Sequence, residues 1–299
     1  MSDEKNILFY EQAWRHRYEQ MKSFIAEGET NPMRILGRYH SGERIEPVVF
    51  KDDGTPMPAP AKLHNPFNFD ELPTGAPAFR TIGLRNEHVI VPFYSSFVQF
   101  LLDFTRNQTF DAIIELGSGF GQNLIELFYH GGPRNIPYYG GEVTTSGCDT
   151  ATMLADLNDD LDLTAFQFDY TAPDLSAVKE HGNLLIFTAH SIEQVAEIPR
   201  DLFKVLAAHG TSVTGIHFEP FGFQIEDSEP NKVSELHKHA AEKMGWNHNF
   251  VSAIQSANES GDIDLLYMAK NIMGGDDMAN PTSLALWRSP QVESEAQSD

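Results

Sequence analysis

The run Ile114-Glu115-Leu116-Gly117-Ser118-Gly119-Phe120-Gly121-Gln122-Asn123 carries the densest chemical signal in the chain. Its glycines let backbone amides approach a ligand closely where a strand hands over to a helix. The spacing is Gly-x-Gly-x-Gly, not Gly-x-Gly-x-x-Gly, and Gln122-Asn123 stands where a phosphate loop needs Lys followed by Ser or Thr. Glu115 places a carboxylate at the mouth of the turn, which favours a cationic group over a pyrophosphate. Spacing and charge together count against a nicotinamide dehydrogenase. The plain alternative is a tight strand–helix turn without a ligand, which three glycines behind an acid disfavour.

Other residues able to do chemistry sit at the ends of later apolar runs. Tyr138-Tyr139-Gly140-Gly141-Glu142-Val143 and Phe166-Gln167-Phe168-Asp169-Tyr170 each end in an acid. Taken singly, Glu142 reads as a surface carboxylate and Asp169 as a helix cap. Phe187-Thr188-Ala189-His190-Ser191-Ile192-Glu193-Gln194 and Gly215-Ile216-His217-Phe218-Glu219 bring imidazoles and carboxylates to two further strand ends. Imidazole titrates near neutral pH, so His190 and His217 are candidate bases. Strand alternation puts His217 and Glu219 on one face. There Glu219 orients His217, binds a cationic acceptor or holds a neighbouring loop, while Glu193 caps a helix or contacts substrate. Imidazoles and carboxylates also suit Zn, Fe or Mn, but these four residues lack a tight His-Glu-x-x-His spacing, and no metal is expected.

These residues need a scaffold. Residues 6–27 repeat Ile7, Tyr10, Trp14, Tyr18, Met21 and Ile25 at helical steps, with Gly28 as the stop. Asn31 to Pro77 breaks the pattern, with a short strand at Val48-Val49-Phe50 and six prolines from Pro56 onward. Phe93 to Phe104 reads as a helix. From Phe110 short apolar runs alternate with helical ones, giving strands at 112–114, 137–143, 166–168, 184–188 and 212–218 with helices near 123–129, 150–157, 199–208 and 232–243. Asp264–Met268 and Ser283–Trp287 close the chain as two strands without a helix between them. This order implies a Rossmann-like α/β fold with a seven-stranded, mostly parallel sheet and an antiparallel edge strand. The expected organisation is a substrate-covering region over 1–109, a ligand-binding domain over 110–289 and a disordered tail over 290–299.

With its three acids in register, the stretch from Phe110 to Trp287 resembles the class I S-adenosylmethionine-dependent methyltransferases. The resemblance implies S-adenosylmethionine as cofactor. Gly117, Gly119 and Gly121 would pass under its methionine part, Glu115 would lie near its ammonium, Glu142 would take the ribose hydroxyls, and Asp169 the adenine amino group. Tyr170 and His190 join the expected cofactor contacts. His190, His217 and Glu219 are the expected catalytic residues. Tyr94, Arg80, Arg85 and Glu193 are the expected substrate contacts, the arginines as partners for an acceptor carboxylate. Thr188-Ala189-His190 departs from the Asn/Asp-Pro-Pro-Tyr/Phe signature of nucleic-acid amino methyltransferases, and Cys148 lacks the Pro-Cys context of cytosine methyltransferases.

Charge points the same way. The 299 residues carry 21 Lys+Arg against 43 Asp+Glu, a formal net charge of −22, which repels phosphate backbones and anionic membranes. One cysteine excludes an internal disulfide framework and a multi-thiolate metal site. Met1-Ser-Asp-Glu-Lys-Asn lacks the basic-then-apolar order of a secretory signal, so a cytoplasmic location is expected. The expected reaction is methyl transfer to a small-molecule metabolite, with oxygen, nitrogen or sulfur as acceptor. A protein or peptide substrate and a catalytically silent cofactor-binding module are the alternatives. The aromatic stripe of the first helix packs on its own chain or on a second subunit, which leaves a homodimer open.

Overall fold

A computed structural model describes residues 3–43, 48–50, 56–58, 79–84, 87–92, 96–226, 232–273 and 280–290. The chain begins with helices α1 (Asp3–Ala26) and α2 (Pro32–Glu43). Two antiparallel hairpins follow, β1 (Val48–Phe50) with β2 (Pro56–Pro58), and β3 (Phe79–Leu84) with β4 (Glu87–Pro92). The part expected to be irregular therefore opens as a helix. Asn31 Oδ1 accepts from the backbone N–H groups of Met33 and Arg34, and Pro32 supplies the first turn, so the start signal is local.

After α3 (Ser96–Thr105) the regular alternation sets in: β5 (Ala112–Leu116), α4 (Gln122–Tyr129), β6 (Tyr138–Glu142), α5 (Thr145–Ala155), β7 (Leu163–Gln167), β8 (Asn183–Ala189), α6 (Leu202–Ala207) and β9 (Ser212–Glu219). Then come α7 (Lys232–Met244), α8 (Phe250–Glu259), β10 (Asp264–Met273) and β11 (Thr282–Arg288). The sequence pattern did not separate α8 from its surroundings. It also placed the start of α5 too late, because Thr144, whose side chain accepts from Gly147 N, caps the helix upstream of its apolar residues.

Strands β5 to β11 form one seven-stranded sheet in the order β10-β11-β9-β8-β5-β6-β7. β5, β6, β7, β8 and β9 run parallel; β11 runs against both β9 and β10, giving an antiparallel pair at that edge. After β7 the chain crosses back to place β8 on the other side of β5, so the switch point lies between β5 and β8. Crevices for ligands open there, beyond the carboxyl ends of the strands.

Side chains alternate across the sheet. Ile114, Leu116, Leu184 and Ile186 face α6 and α8; Ile113, Leu185, Phe187 and Phe218 face α3 and α4. Both faces are covered, which explains why the parallel strands are near-continuous apolar runs. The second half of α1 joins the α3/α4 side through Met21, buried with Ile35, Leu36 and Tyr39 of α2. Among the described residues no helix is long and apolar enough to cross a membrane. The tail beyond Pro290 lies outside the described residues.

Candidate functional site

The turn after β5 is held in a conformation that only glycine adopts without strain. Gly117, Gly119 and Gly121 have φ of 70°, 56° and 76°. Gly117 N–H and Ser118 N–H donate to Gly141 O at 2.7 and 2.9 Å, tying the turn to β6. A Cβ on Gly117 would overlap the Ser191 side chain, so the turn also lies flush against the segment after β8.

Above the turn is a cavity of about 320 Å³, within the range of small-molecule sites (roughly 300–1,000 Å³). Its walls include Glu115, Gly117, Gly119, Glu142, Asp169, Tyr170 and His190, which the sequence singled out. Gly121 is not in the wall; its role is the cap of α4, packed on Ala151. Arg85 and Tyr94 lie outside the described residues, and so does the side chain of Arg80 in β3.

Glu115 is buried. Its Oε1 accepts from Asn123 Nδ2 at 2.7 Å, whereas Oε2 has no hydrogen-bond partner among the described residues. Burial pushes its pKa from 4.5 up to about 8; the nearby charges of Glu142 and Glu126 add to the rise, and the Asn123 bond opposes it. Glu142 is also raised by burial, but three donors hold it. Gly119 N–H reaches Oε2 at 2.9 Å, and Thr144 N–H and Oγ1 reach Oε1 at 3.1 and 2.8 Å. Asp169 accepts from Thr171 N–H and Oγ1, both at 2.8 Å, so it closes a turn at the cavity edge. Tyr170 Oη donates to Leu116 O at 2.7 Å and lies 2.8 Å from Ser191 Oγ, stitching the third strand end to the first.

His190 occupies the cavity rim with φ 51°, a left-handed conformation costly for a residue with a Cβ. Its Nε2 is 2.6 Å from Thr282 Oγ1 and its Nδ1 3.5 Å from Glu193 Oε2. Glu193 itself does not line the main cavity; it is buried between His190 and Glu219.

Two expected catalytic residues are corrected. His217 is fully buried, and burial lowers its pKa to about 3, so it stays neutral at working pH. Its Nε2 accepts from Trp287 Nε1 at 2.7 Å; the remaining N–H on Nδ1 therefore points to Thr188 Oγ1 at 3.0 Å. Its free lone pair is taken by the Trp287 N–H and it is absent from the cavity wall, so His217 is placed to brace β9 and not to take a proton from a ligand. Glu219 is also outside the main cavity wall. It accepts from Ser191 N–H at 3.2 and 3.1 Å and from Glu193 N–H at 3.4 Å, so of its three expected roles the loop-holding one matches the geometry. Burial pushes its pKa to about 7. Among the described residues no group of three or more His, Cys, Asp or Glu is placed to hold a metal ion.

The sequence reading missed the wall made by α1. Asn6, Ile7, Tyr10, Trp14 and Arg17 all line the cavity. Tyr10 stacks on Trp14 with centroids 5.9 Å apart, and the Arg17 guanidinium lies 4.2 Å over the Trp14 ring. The aromatic stripe was the available signal, but a stripe at helical spacing reads equally as ordinary packing.

Fold and site together define a Rossmann-like α/β protein with an acid-lined ligand cavity at its switch point. Neither a family model nor a curated protein sequence matches the chain. Solved structures do. A geranyl diphosphate methyltransferase is similar over 66% of this chain and 77% of its own, with 12% identity and a TM-score of 0.43. A SAM-dependent methyltransferase from Aquifex aeolicus is similar over 64% and 89%, with 11% identity and a TM-score of 0.41. The small RNA methyltransferase HEN1 is similar over 66% of this chain and 25% of its own, at 13% identity and a TM-score of 0.44. The seven-stranded sheet with its reversed last strand is the fold that the class I resemblance implies.

Proposed function

We propose that the cavity binds S-adenosylmethionine and that the chain transfers its methyl group to a small-molecule acceptor in the cytoplasm. The observation that carries this reading is Glu115: a buried carboxylate in the wall of a cavity lined by Gly117 and Gly119 of the glycine turn, with one oxygen lacking a hydrogen-bond partner among the described residues. A buried carboxylate needs a counter-charge or a proton, and a cationic ligand supplies the first. Tyr10, Trp14, Phe168 and Tyr170 add aromatic surface that suits both a cation and a base ring. The residues therefore fit a ligand carrying an ammonium, a sulfonium and a nucleoside.

When bound, the cofactor supplies an electrophilic methyl group on sulfur. This chain's residues position and neutralise. Glu115 faces the ammonium, Glu142 accepts from hydroxyls, and Asp169 lies at the adenine end. His190, braced by Thr282 and Glu193, is the group at the rim able to take a proton if the acceptor is a hydroxyl or amine. For a thioether acceptor no base is needed and the rim only orients. We place acceptor contacts on the strand ends around His190, together with Arg80, Arg85 and Tyr94 from the N-terminal region.

The test is incubation with methyl-labelled S-adenosylmethionine and cell extract, followed by separation by size. Label in the small fraction supports the reading, and His190→Gln then lowers turnover by about 10²–10⁴-fold if the acceptor loses a proton. Label on macromolecules refutes the small-molecule assignment. Cofactor binding without transfer to either fraction refutes the enzyme assignment.

A further inference from the structure

The two walls of the cavity carry opposite chemistry. The strand ends contribute Glu115, Glu142 and Asp169, and among the described lining residues Arg17 is the only Lys or Arg. It comes from α1, where Asn6, Tyr10, Trp14 and Arg17 recur at helical steps and share one face. At 1.5 Å per residue that face runs about 16 Å along the cavity. Its start is at the rim, where Asn6 Nδ2 donates to Gln194 O at 3.1 Å. Its far end is at the glycine turn, where the Arg17 guanidinium lies 5.5 Å over the Phe120 ring.

Arg17 and Glu115 meet there, around the start of α4. Both amide side chains that open α4 are committed to carboxylates: Asn123 Nδ2 donates to Glu115 Oε1 and Gln122 Nε2 to Glu126 Oε1, each at 2.7 Å. The cation at this end is Arg17, and it is held in place. The rings of Trp14, Tyr39 and Phe120 surround it, with centroids 4.2, 5.2 and 5.5 Å away. Ring faces engage the charge of a guanidinium without spending the in-plane N–H fork that matches a carboxylate. The first turn of α4, whose N-cap Gly121 supplies no side-chain cap, adds a field of the same sign.

An α-amino acid carries an ammonium and a carboxylate on one carbon. Glu115 suits the first. The second, brought into a cavity walled by acids, is repelled unless a cation meets it.

We propose that Arg17 binds the carboxylate of the ligand's amino-acid end, so that α1 and the strand ends together read a zwitterion. The inference rests on the proposed cofactor and deepens it: the cavity selects an intact amino-acid end as well as a nucleoside. It also gives α1 a part in recognition, which a helix that merely walls the cavity lacks.

The test is calorimetric titration of two ligands into the full chain and into Arg17→Met. One is S-adenosylhomocysteine; the other is its decarboxylated analogue, S-adenosyl-3-thiopropylamine, which keeps the amine and the nucleoside. Methionine keeps an apolar stem among the three rings and removes the charge. We expect the wild type to prefer the complete ligand by roughly 10- to 100-fold, the scale of hydrogen bonds to charged groups. In Arg17→Met that preference disappears, through loss of affinity for the complete ligand alone. Arg17→Lys, with the charge but not the fork, retains part of it. An equal loss of affinity for both ligands in Arg17→Met overturns the proposal, because damaged packing does not sense a carboxylate. Where Arg17→Met folds poorly the wild type decides, since equal affinity for the two ligands also overturns it. Absence of binding of either ligand to the wild type overturns the cofactor reading, and the role of Arg17 with it.

Discussion

Glu115 makes the sharpest demand on the proposed ligand. Its folded-state pKa is about 8 against an ordinary 4.5, chiefly through burial. At pH 7 the empty site is therefore protonated about ten to one. A ligand that brings a positive charge close to Glu115 binds the ionised form and expels that proton. Affinity then rises about tenfold per pH unit below 8 and levels off above it, and close to 0.9 proton is released per ligand at pH 7. Glu115→Gln keeps the shape and removes the charge. Losing one partner of a buried pair costs roughly 2–5 kcal/mol. The about 1.4 kcal/mol needed to ionise Glu115 at pH 7 is no longer spent, so binding weakens by roughly 1–4 kcal/mol net. The variant's affinity is flat in pH. Calorimetry of S-adenosylhomocysteine between pH 6 and 9, in two buffers of different ionisation enthalpy, reads both affinity and proton release. No proton release and a flat wild-type profile refute the argument. Stability moves the opposite way in the free protein. The unfolded chain ionises Glu115 near pH 4.5 and the folded chain near 8, so the stability carried by the neutral carboxyl is full below 4.5 and drains as pH rises through 8. The wild-type melting point accordingly falls relative to Glu115→Gln across that window.

Two substitutions separate support from chemistry. His217→Phe leaves the Trp287 N–H and the Thr188 hydroxyl without their partner and lowers stability by about 2–5 kcal/mol, read by denaturant unfolding, while turnover of the folded fraction persists; abolished turnover in well-folded protein would restore His217 as a base. Glu219→Ala strips the acceptor from Ser191 N–H and Glu193 N–H at about 1–3 kcal/mol for each group left buried and unpaired, and loosens ligand binding through the His190–Ser191 segment, whereas Glu219→Gln, keeping one acceptor oxygen, recovers most of both. A glutamine variant as damaged as the alanine one in unfolding and titration would show that the charge matters and the loop bonds do not.

Much of the frame was legible because its signals are local. The strand–helix alternation from β5 to β9 follows from apolar runs of strand length and from turn residues between them, and the glycine turn announces itself by spacing. The α2 start was equally local, in Asn31-Pro32, but lay inside a proline-rich stretch that masked it. Two features went unread: α8, although Asn249 stands at its N-cap and Gly261 follows its end, and the side chains that close the cavity from α1, which look like core positions until the partner surface is known.

The sequence by itself determined that an acid-flanked glycine turn would sit at the end of the first parallel strand, with further acids at the next two strand ends. Such features depend on a few neighbouring residues and on the two-residue period of strands. Only the tertiary structure decided what His217 and Glu219 do. Their shared face was predictable, but the β9–β11 register pairs Gly215 with Trp287. The missing side chain at Gly215 admits the indole that occupies His217. That pairing joins residues more than 70 positions apart. Likewise only the docking of α1 puts Trp14 in the cavity wall against the Gly119 turn, because a helix stripe shows that a face is buried and not what it is buried against.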